Sequence, residues 1–182
     1  MKKLFTNRVF LICLTAVLMI VSVLLNTRIK FGKKCDSISD SFYSTNSVAD
    51  SLSRFCDAAE DLVELGLRCQ VDDADAPMGQ IREIRSALSA HSREYDDLYD
   101  EYEGLLKKTF ALEGSLERNL PQLNDEAAVS FTEARHNASD AKAAVDACDY
   151  NVRAAAFLKA NSRFPTPQLA DLSGVEVPEL FA

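Results

Sequence analysis

Apolar residues recur along the chain in four different rhythms. From Val9 to Leu25 the run VFLICLTAVLMIVSVLL holds 17 residues without a charge. Its apolar character on every side suits a helix surrounded by lipid. Residues 37–69 place apolar or small side chains at Ile38, Phe42, Thr45, Val48, Leu52, Phe55, Ala59, Leu62 and Leu67. Spacings of three and four until the last step predict one helix with a single buried stripe. VDDADAPMG (71–79) then predicts a turn, with Asp75 as N-cap and Pro77 near the first position of the next helix. That helix is predicted from the series Ile81, Ile84, Leu88, His91, Tyr95, Leu98, Tyr102, Leu105, Thr109, Leu112, Leu116 and Leu120. The seam is heptad-like and predicts a long helix over 77–120 packed in coiled-coil fashion, or two helices if it breaks near Gly104 or Gly114. Leu120-Pro121-Gln122-Leu123 interrupts, and Asn124 offers a cap to a third helix with the stripe Phe131, Ala134, Ala138, Ala141, Val145, Cys148, Val152, Ala155. It runs to Phe164, where Pro165 and Pro167 stop it.

Strand signals are absent, so the fold class is all-α: an N-terminal transmembrane helix followed by an antiparallel bundle of three to four long helices. The divisions are a basic N-terminus (1–8), a membrane anchor (9–27), a basic juxtamembrane linker (28–36), the bundle (37–164) and a C-terminal segment (165–182) that folds back on it. The anchor rests on Val9, Phe10, Leu11, Ile12, Leu14, Val17, Leu18, Ile20, Val21, Leu24 and Leu25. No small-x-small cleavage site follows Leu25, which argues against a signal peptide. With the first rod leaving the membrane directly, the 71–79 turn is expected at the far end and the 120–124 turn back on the membrane side.

Charge sharpens this picture. Residues 1–34 hold seven Lys/Arg and no Asp/Glu, leaving 13 basic against 28 acidic residues in 35–182. A soluble part so acidic repels phosphate backbones, which excludes nucleic acid as the main partner. Three basic residues precede the span and four follow it, close to a tie, and the short basic N-terminus tips the expectation toward a bundle outside the cytoplasm. Outside the span, Cys35, Cys56, Cys69 and Cys148 permit two disulfides in three pairings or four free thiols. Cys56 and Cys69 are too far apart on one helix to bond.

Candidate chemistry is sparse. Glu133-x-x-His136 has the spacing of carboxylate-bridged di-metal bundles but occurs once, flanking the apolar stripe, and reads as surface. The runs Asp72-Asp73-x-Asp75 and Asp96-Asp97-x-x-Asp100-Glu101 lack calcium-loop geometry and read as solvated faces. No nucleophile elbow, zinc-protease helix, phosphate loop or dinucleotide fingerprint occurs. The expectation is no enzyme, with no catalytic, cofactor or metal residues.

One constellation remains. Tyr150-Asn151, Phe157-Leu158 and Phe164-Pro165 recur at seven-residue spacing, followed by Ala170, Gly174, Val175 and Phe181, with Pro121-Gln122-Leu123 upstream. This resembles the C-terminal signature of the LemA family of membrane proteins, in which two Tyr-Asn pairs and a Phe-Pro pair follow one another at that spacing and a Pro-Asp-Leu precedes them. Ser139, Asp140 and Lys142 stand for the family's Thr, Glu and Arg, and Asp61-Leu62-Val63 matches part of an upstream motif in which Glu64 replaces a Pro. The similarity covers about residues 121–182, and Phe157-Leu158 departs from the second Tyr-Asn. The resemblance implies a membrane-anchored helical bundle and brings no catalytic residues.

On a helix Tyr150, Phe157 and Phe164 form one aromatic ridge. Packing against other helices or the returning segment, with Asn151 and the Tyr150 hydroxyl satisfying backbone groups, is the favoured reading over a partner surface. The expected function is a single-pass scaffold or protein-interaction module at the membrane surface, its partners the lipid bilayer and an unidentified protein. The alternative is a tethered sensor with a small ligand between the helices, beside the Ala-rich face of 134–155.

Overall fold

The helix begun by the uncharged run does not end where the apolar residues do. In the computed structural model, which describes residues 2–119, 125–163 and 166–182, helix α1 (Lys2–Phe42) continues unbroken for 41 residues through the basic segment 28–36. That segment is therefore a helical stalk. The chain breaks at Ser44-Thr45-Asn46, with Asn46 left-handed at φ 57°. Ser47 then caps α2 (Val48–Arg68), its hydroxyl accepting from the Asp50 amide at 3.4 Å. The helix predicted over 37–69 is thus two helices, and Thr45, assigned to its stripe, is exposed in the break. At the other end of α2 the buried positions are Leu65 and Gly66, and Leu67 faces solvent.

The remaining helices are α3 (Met78–Ser89), α4 (Tyr95–Asn119), α5 (Asp125–Asp146), α6 (Tyr150–Ala160) and α7 (Thr166–Ser173), with no strand among the described residues. Their side-chain contacts set the directions. Tyr43 and His91 stack at 4.7 Å at the start of α2, whereas Arg85 binds Asp57 and Glu60 further along it, so α3 descends beside a rising α2. Lys108 reaches Gln80 at 2.7 Å, Tyr102 meets Phe55, and the Gly66 backbone approaches Leu112, so α4 rises again. Arg135 pairs with Glu117 at 3.3 Å and the Cys148 thiol reaches the Asn46 carbonyl at 4.0 Å, so α5 descends. Helices α2 to α5 are an up-down-up-down four-helix bundle.

Two expectations are corrected here. The seam over 77–120 is not one rod: the chain reverses at 90–94, making α3 and α4 an antiparallel hairpin, while Gly104 and Gly114 lie within unbroken helix. The coiled-coil rod predicted there gives way to two shorter helices. The end of α4 and the start of α5 consequently lie at the end of the bundle away from α1, whereas the sequence put the 120–124 turn on the anchor side; residues 120–124 themselves lie outside the described residues. The turns explain why the pattern misled. Gln70 (φ 55°) and His91 (φ 50°) take the left-handed position that glycine usually fills, with Val71 N–H bonding the Gly66 carbonyl at 2.9 Å and Ser92 N–H bonding the Ala87 carbonyl at 3.0 Å. Pro77, not Asp75, occupies the cap of α3, and no side chain caps it.

Helix α2 is the central element, with twelve of its 21 residues buried. It meets α3, α4 and α5, and α5 lies closest because Ala134, Ala138 and Ala141 face it. The break at 147–149 rotates the apolar face of the third helix, so α6 buries Tyr150 and Ala154 while Val152 and Ala155 are exposed. All five cysteines are free, Cys35 and Cys56 being buried. Burial pushes the Cys56 thiol up to about 12 and the Cys35 thiol to about 11.

Gly66 is required by close approach: a Cβ there would lie 2.9 Å from Ala74 Cβ and 3.0 Å from Leu112 Cδ1. At Gly114 an added Cβ meets nothing within 4 Å. Gly66→Ala should lower stability by about 1–3 kcal/mol through overpacking, whereas Gly114→Ala should raise it by about 0.5–1 kcal/mol through helix propensity. Denaturant unfolding of the full chain in detergent checks the pair, and the same sign for both would contradict the packing described.

Candidate functional site

The helix breaks at 43–47, 90–94 and 147–149 fall at one level of the molecule, where an aromatic layer fills the space. Phe42, fully buried at the end of α1, contacts Tyr95 at 4.4 Å, Tyr150 at 5.1 Å and Phe181 at 5.5 Å between ring centroids. Tyr95 and Tyr150 meet at 5.3 Å, and Phe181 lies between Phe42 and the rings of Tyr99 and Tyr102 on α4. Edge and tilted geometries dominate, the arrangements that ring quadrupoles favour. The layer closes the proximal end of the four-helix bundle. Below it α6 returns along α1, with Phe157 against Phe31 at 5.1 Å, and α7 packs beside them.

Phe181 reaches the layer because residues 175–181 turn back from α7. Gly174 makes that turn possible at φ 64°, with the Val175 N–H bonding the Ala170 carbonyl at 3.1 Å. Tyr150 and Asn151 then hold the segment by its main chain. The Tyr150 hydroxyl donates to the Glu179 carbonyl at 2.8 Å. The Asn151 amide is bidentate on Phe181: Nδ2 donates to its carbonyl at 2.5 Å and Oδ1 accepts from its N–H at 2.8 Å. Two residues thus satisfy three backbone groups of an otherwise irregular segment, and Phe181 adds a ring that is 4% exposed. Arg93 ties the same segment to α1 from outside, through Glu176 at 3.4 Å and Asp36 at 3.5 Å, an exposed arrangement worth little.

Of the signature residues, Tyr150, Asn151, Gly174 and Phe181 come together in this clasp, and Phe157 joins the stalk contact. Pro121, Phe164 and Pro165 lie outside the described residues. Sequence reasoning placed Phe42, Tyr95 and Tyr102 on helix stripes without seeing that they meet. It passed over Tyr99, Phe31 and Arg93, although the density of tyrosines in YDDLYDEYE (95–103) was a visible signal.

The anchor residues Val9, Phe10, Leu11, Ile12, Leu14, Val17, Leu18, Ile20, Val21 and Leu25 are exposed and Leu24 is half-exposed, touching little of the bundle. This N-terminal helix is long and apolar enough to cross a membrane. The Glu133-x-x-His136 pair lies on the surface, His136 beside Asp140 at 3.4 Å. Asp61, Glu64, Glu133 and Asn137 line an open cleft of about 230 Å³ between α2 and α5. Asp72, Asp73, Asp75, Asp96, Asp97 and Asp100 are exposed, and among the described residues no group of three potential metal ligands forms. Comparison with protein-family models, curated proteins and solved structures finds no match to the chain.

Asn151→Asp keeps the shape of the side chain and sets an acceptor against the Phe181 carbonyl, so it should cost about 2 kcal/mol. Phe181→Ala, which empties the ring's place in the layer, should cost about 3 kcal/mol. Hydrogen exchange should show faster exchange of residues 175–181 in both variants than in the unchanged chain. Protection that survives Asn151→Asp would mean the clasp does not hold the segment.

Burial raises Tyr95, Tyr102 and Tyr150 above the ordinary phenol value and takes Tyr43 to about 12. The folded state therefore keeps protons that the unfolded chain releases. These groups contribute full stability below about pH 10, the ordinary phenol value, and the contribution is lost as pH rises through their raised folded values. The denaturant midpoint should accordingly fall between about pH 10 and 12, in step with the appearance of phenolate absorbance on unfolding. A midpoint that stays constant across that window would contradict the burial of the layer.

Proposed function

We propose that the chain is a single-pass membrane protein whose α2–α5 bundle serves as a non-enzymatic scaffold or protein-interaction module at the membrane surface, in the manner its LemA-like signature implies. The observation that carries this reading is the continuity of α1. The helix long and apolar enough to cross a membrane enters the bundle without a break and ends inside its aromatic layer. A bundle so joined is held at a fixed height above the bilayer, as a platform for partners needs. The exposed acidic face of α4, with Asp96, Asp97 and Asp100, offers such a surface. The Ala-rich face that a small ligand would need is buried against α2, so the sensor alternative gains no support from it.

Expression of the full chain with a C-terminal epitope tests both parts. The protein should remain in the membrane pellet after alkaline carbonate extraction, and its release would overturn the anchored reading. Loss of the epitope to external protease in intact or spheroplasted cells is expected for a bundle outside the cytoplasm; protection until the membrane is opened would place it inside. A photo-crosslinker at the exposed position Phe110 should trap a discrete adduct that charge reversal of Asp96, Asp97 and Asp100 removes. A scaffold role is overturned if interior changes such as Phe181→Ala alter the adduct while surface changes do not.

A further inference from the structure

The stalk part of α1 carries charge that neither the clasp nor the bundle core uses. At 1.5 Å per residue Lys30 lies about 7–8 Å beyond Leu25 along the axis, and Lys34 about 13–14 Å. The headgroup layer occupies roughly the 5–7 Å outside each hydrocarbon boundary. Lys30 therefore sits near headgroup height, and the apolar stems of Lys33 and Lys34 let their ammonium groups reach down to it. At 100° per residue the three lysines share an arc of about 100°, and the unbroken helix fixes that arc relative to the bundle.

They rim a groove of about 530 Å³, together with Asn26, whose apolar wall is Phe31 and Leu169 of α7. Elsewhere Arg54, Arg68, Arg85, Arg93, Lys107, Arg135 and Lys142 engage carboxylates, and the other unpaired cations, among them Arg82, Arg118, Arg153 and Lys159, are scattered rather than gathered on one groove. Among the described residues Lys30, Lys33 and Lys34 form no ion pair, in a chain with 28 Asp/Glu. Three uncompensated cations beside an apolar wall at this height match one chemistry: a phosphate diester with acyl chains beneath it.

We propose that this groove binds the headgroup of an acidic phospholipid of the membrane that holds α1, an inference that rests on the anchored reading. The lysines meet the phosphate, and Phe31 and Leu169 meet the glycerol and the first chain carbons. The lipid thereby ties the α1–α7 contact to the bilayer surface.

The test is the full-length protein reconstituted in phosphatidylcholine vesicles, with spin-labelled phosphatidylglycerol or spin-labelled phosphatidylcholine as probe. The motionally restricted fraction should favour phosphatidylglycerol by about fivefold or more, the scale of one lysine's attraction to an anionic surface. The preference should fall to near parity in Lys30→Gln/Lys33→Gln/Lys34→Gln and persist in the distal control Arg54→Gln/Arg68→Gln/Lys107→Gln. Equal preference in the unchanged chain and the stalk variant overturns the proposal. So does abolition of the preference by millimolar glycerol 1-phosphate, which would assign the site to a free phosphate ester. Absence of restricted lipid of either kind reports that α1 has not entered the bilayer and overturns the anchored reading on which the groove rests.

Discussion

The burial of one ring, Phe42, organises the molecule. It is the last residue of a helix 41 residues long, and it lies fully buried among rings from α4, from α6 and from the returning segment. Fully burying a side chain of this size is worth about 2–3 kcal/mol, and the surrounding ring pairs each add about 0.5–1.5 kcal/mol. To place it there, α1 must stop at 42, the α3–α4 hairpin must turn beside it, and the third helix must break at 147–149 so that Tyr150 faces inward. The three interruptions are therefore one packing solution.

This layer divides the chain into two assemblies that share a boundary. Above it, a four-helix bundle packs around α2, drawn tight on one side by the alanines of α5. Below it, α1, α6 and α7 form a smaller bundle with little core of its own, held by Phe31 on Phe157 and by the clasp on Phe181. The clasp is polar and directional where the layer is apolar and tolerant. Rings alone would accept several registers of an extended segment, but the bidentate amide of Asn151 accepts one.

Helix content and the inward positions were legible in the sequence because amphipathic spacing reports burial directly. Leu52, Phe55, Leu62, Ile81, Ile84, Leu105, Leu116 and Phe131 all lie where the three-four rhythm put them. Chain direction was not legible. The step from Leu88 through His91 to Tyr95 keeps helical spacing across a reversal, because both arms of a hairpin present the same apolar seam to the same neighbour. Glycine or proline would have marked the reversal, yet His91 fills the left-handed position. The break at 43–47 did carry a signal, the cluster Ser44-Thr45-Asn46-Ser47 followed by an acid at Asp50, and the continuing apolar rhythm outweighed it. The favoured reading of Tyr150 and Asn151 as structural groups that satisfy the returning backbone agrees with their contacts, though nothing local could show which backbone they would meet.

A helix has a phase as well as a length. Since α1 runs without a joint from its apolar stretch to Phe42, each residue inserted or removed between Leu25 and Phe31, before the helix meets α6, would turn the whole bundle by about 100° about the axis and move it by about 1.5 Å. A flexible tether absorbs such changes, and this one has no slack to absorb them. The direction in which each face of the bundle looks relative to the apolar stretch is therefore written into the residue count of the stalk.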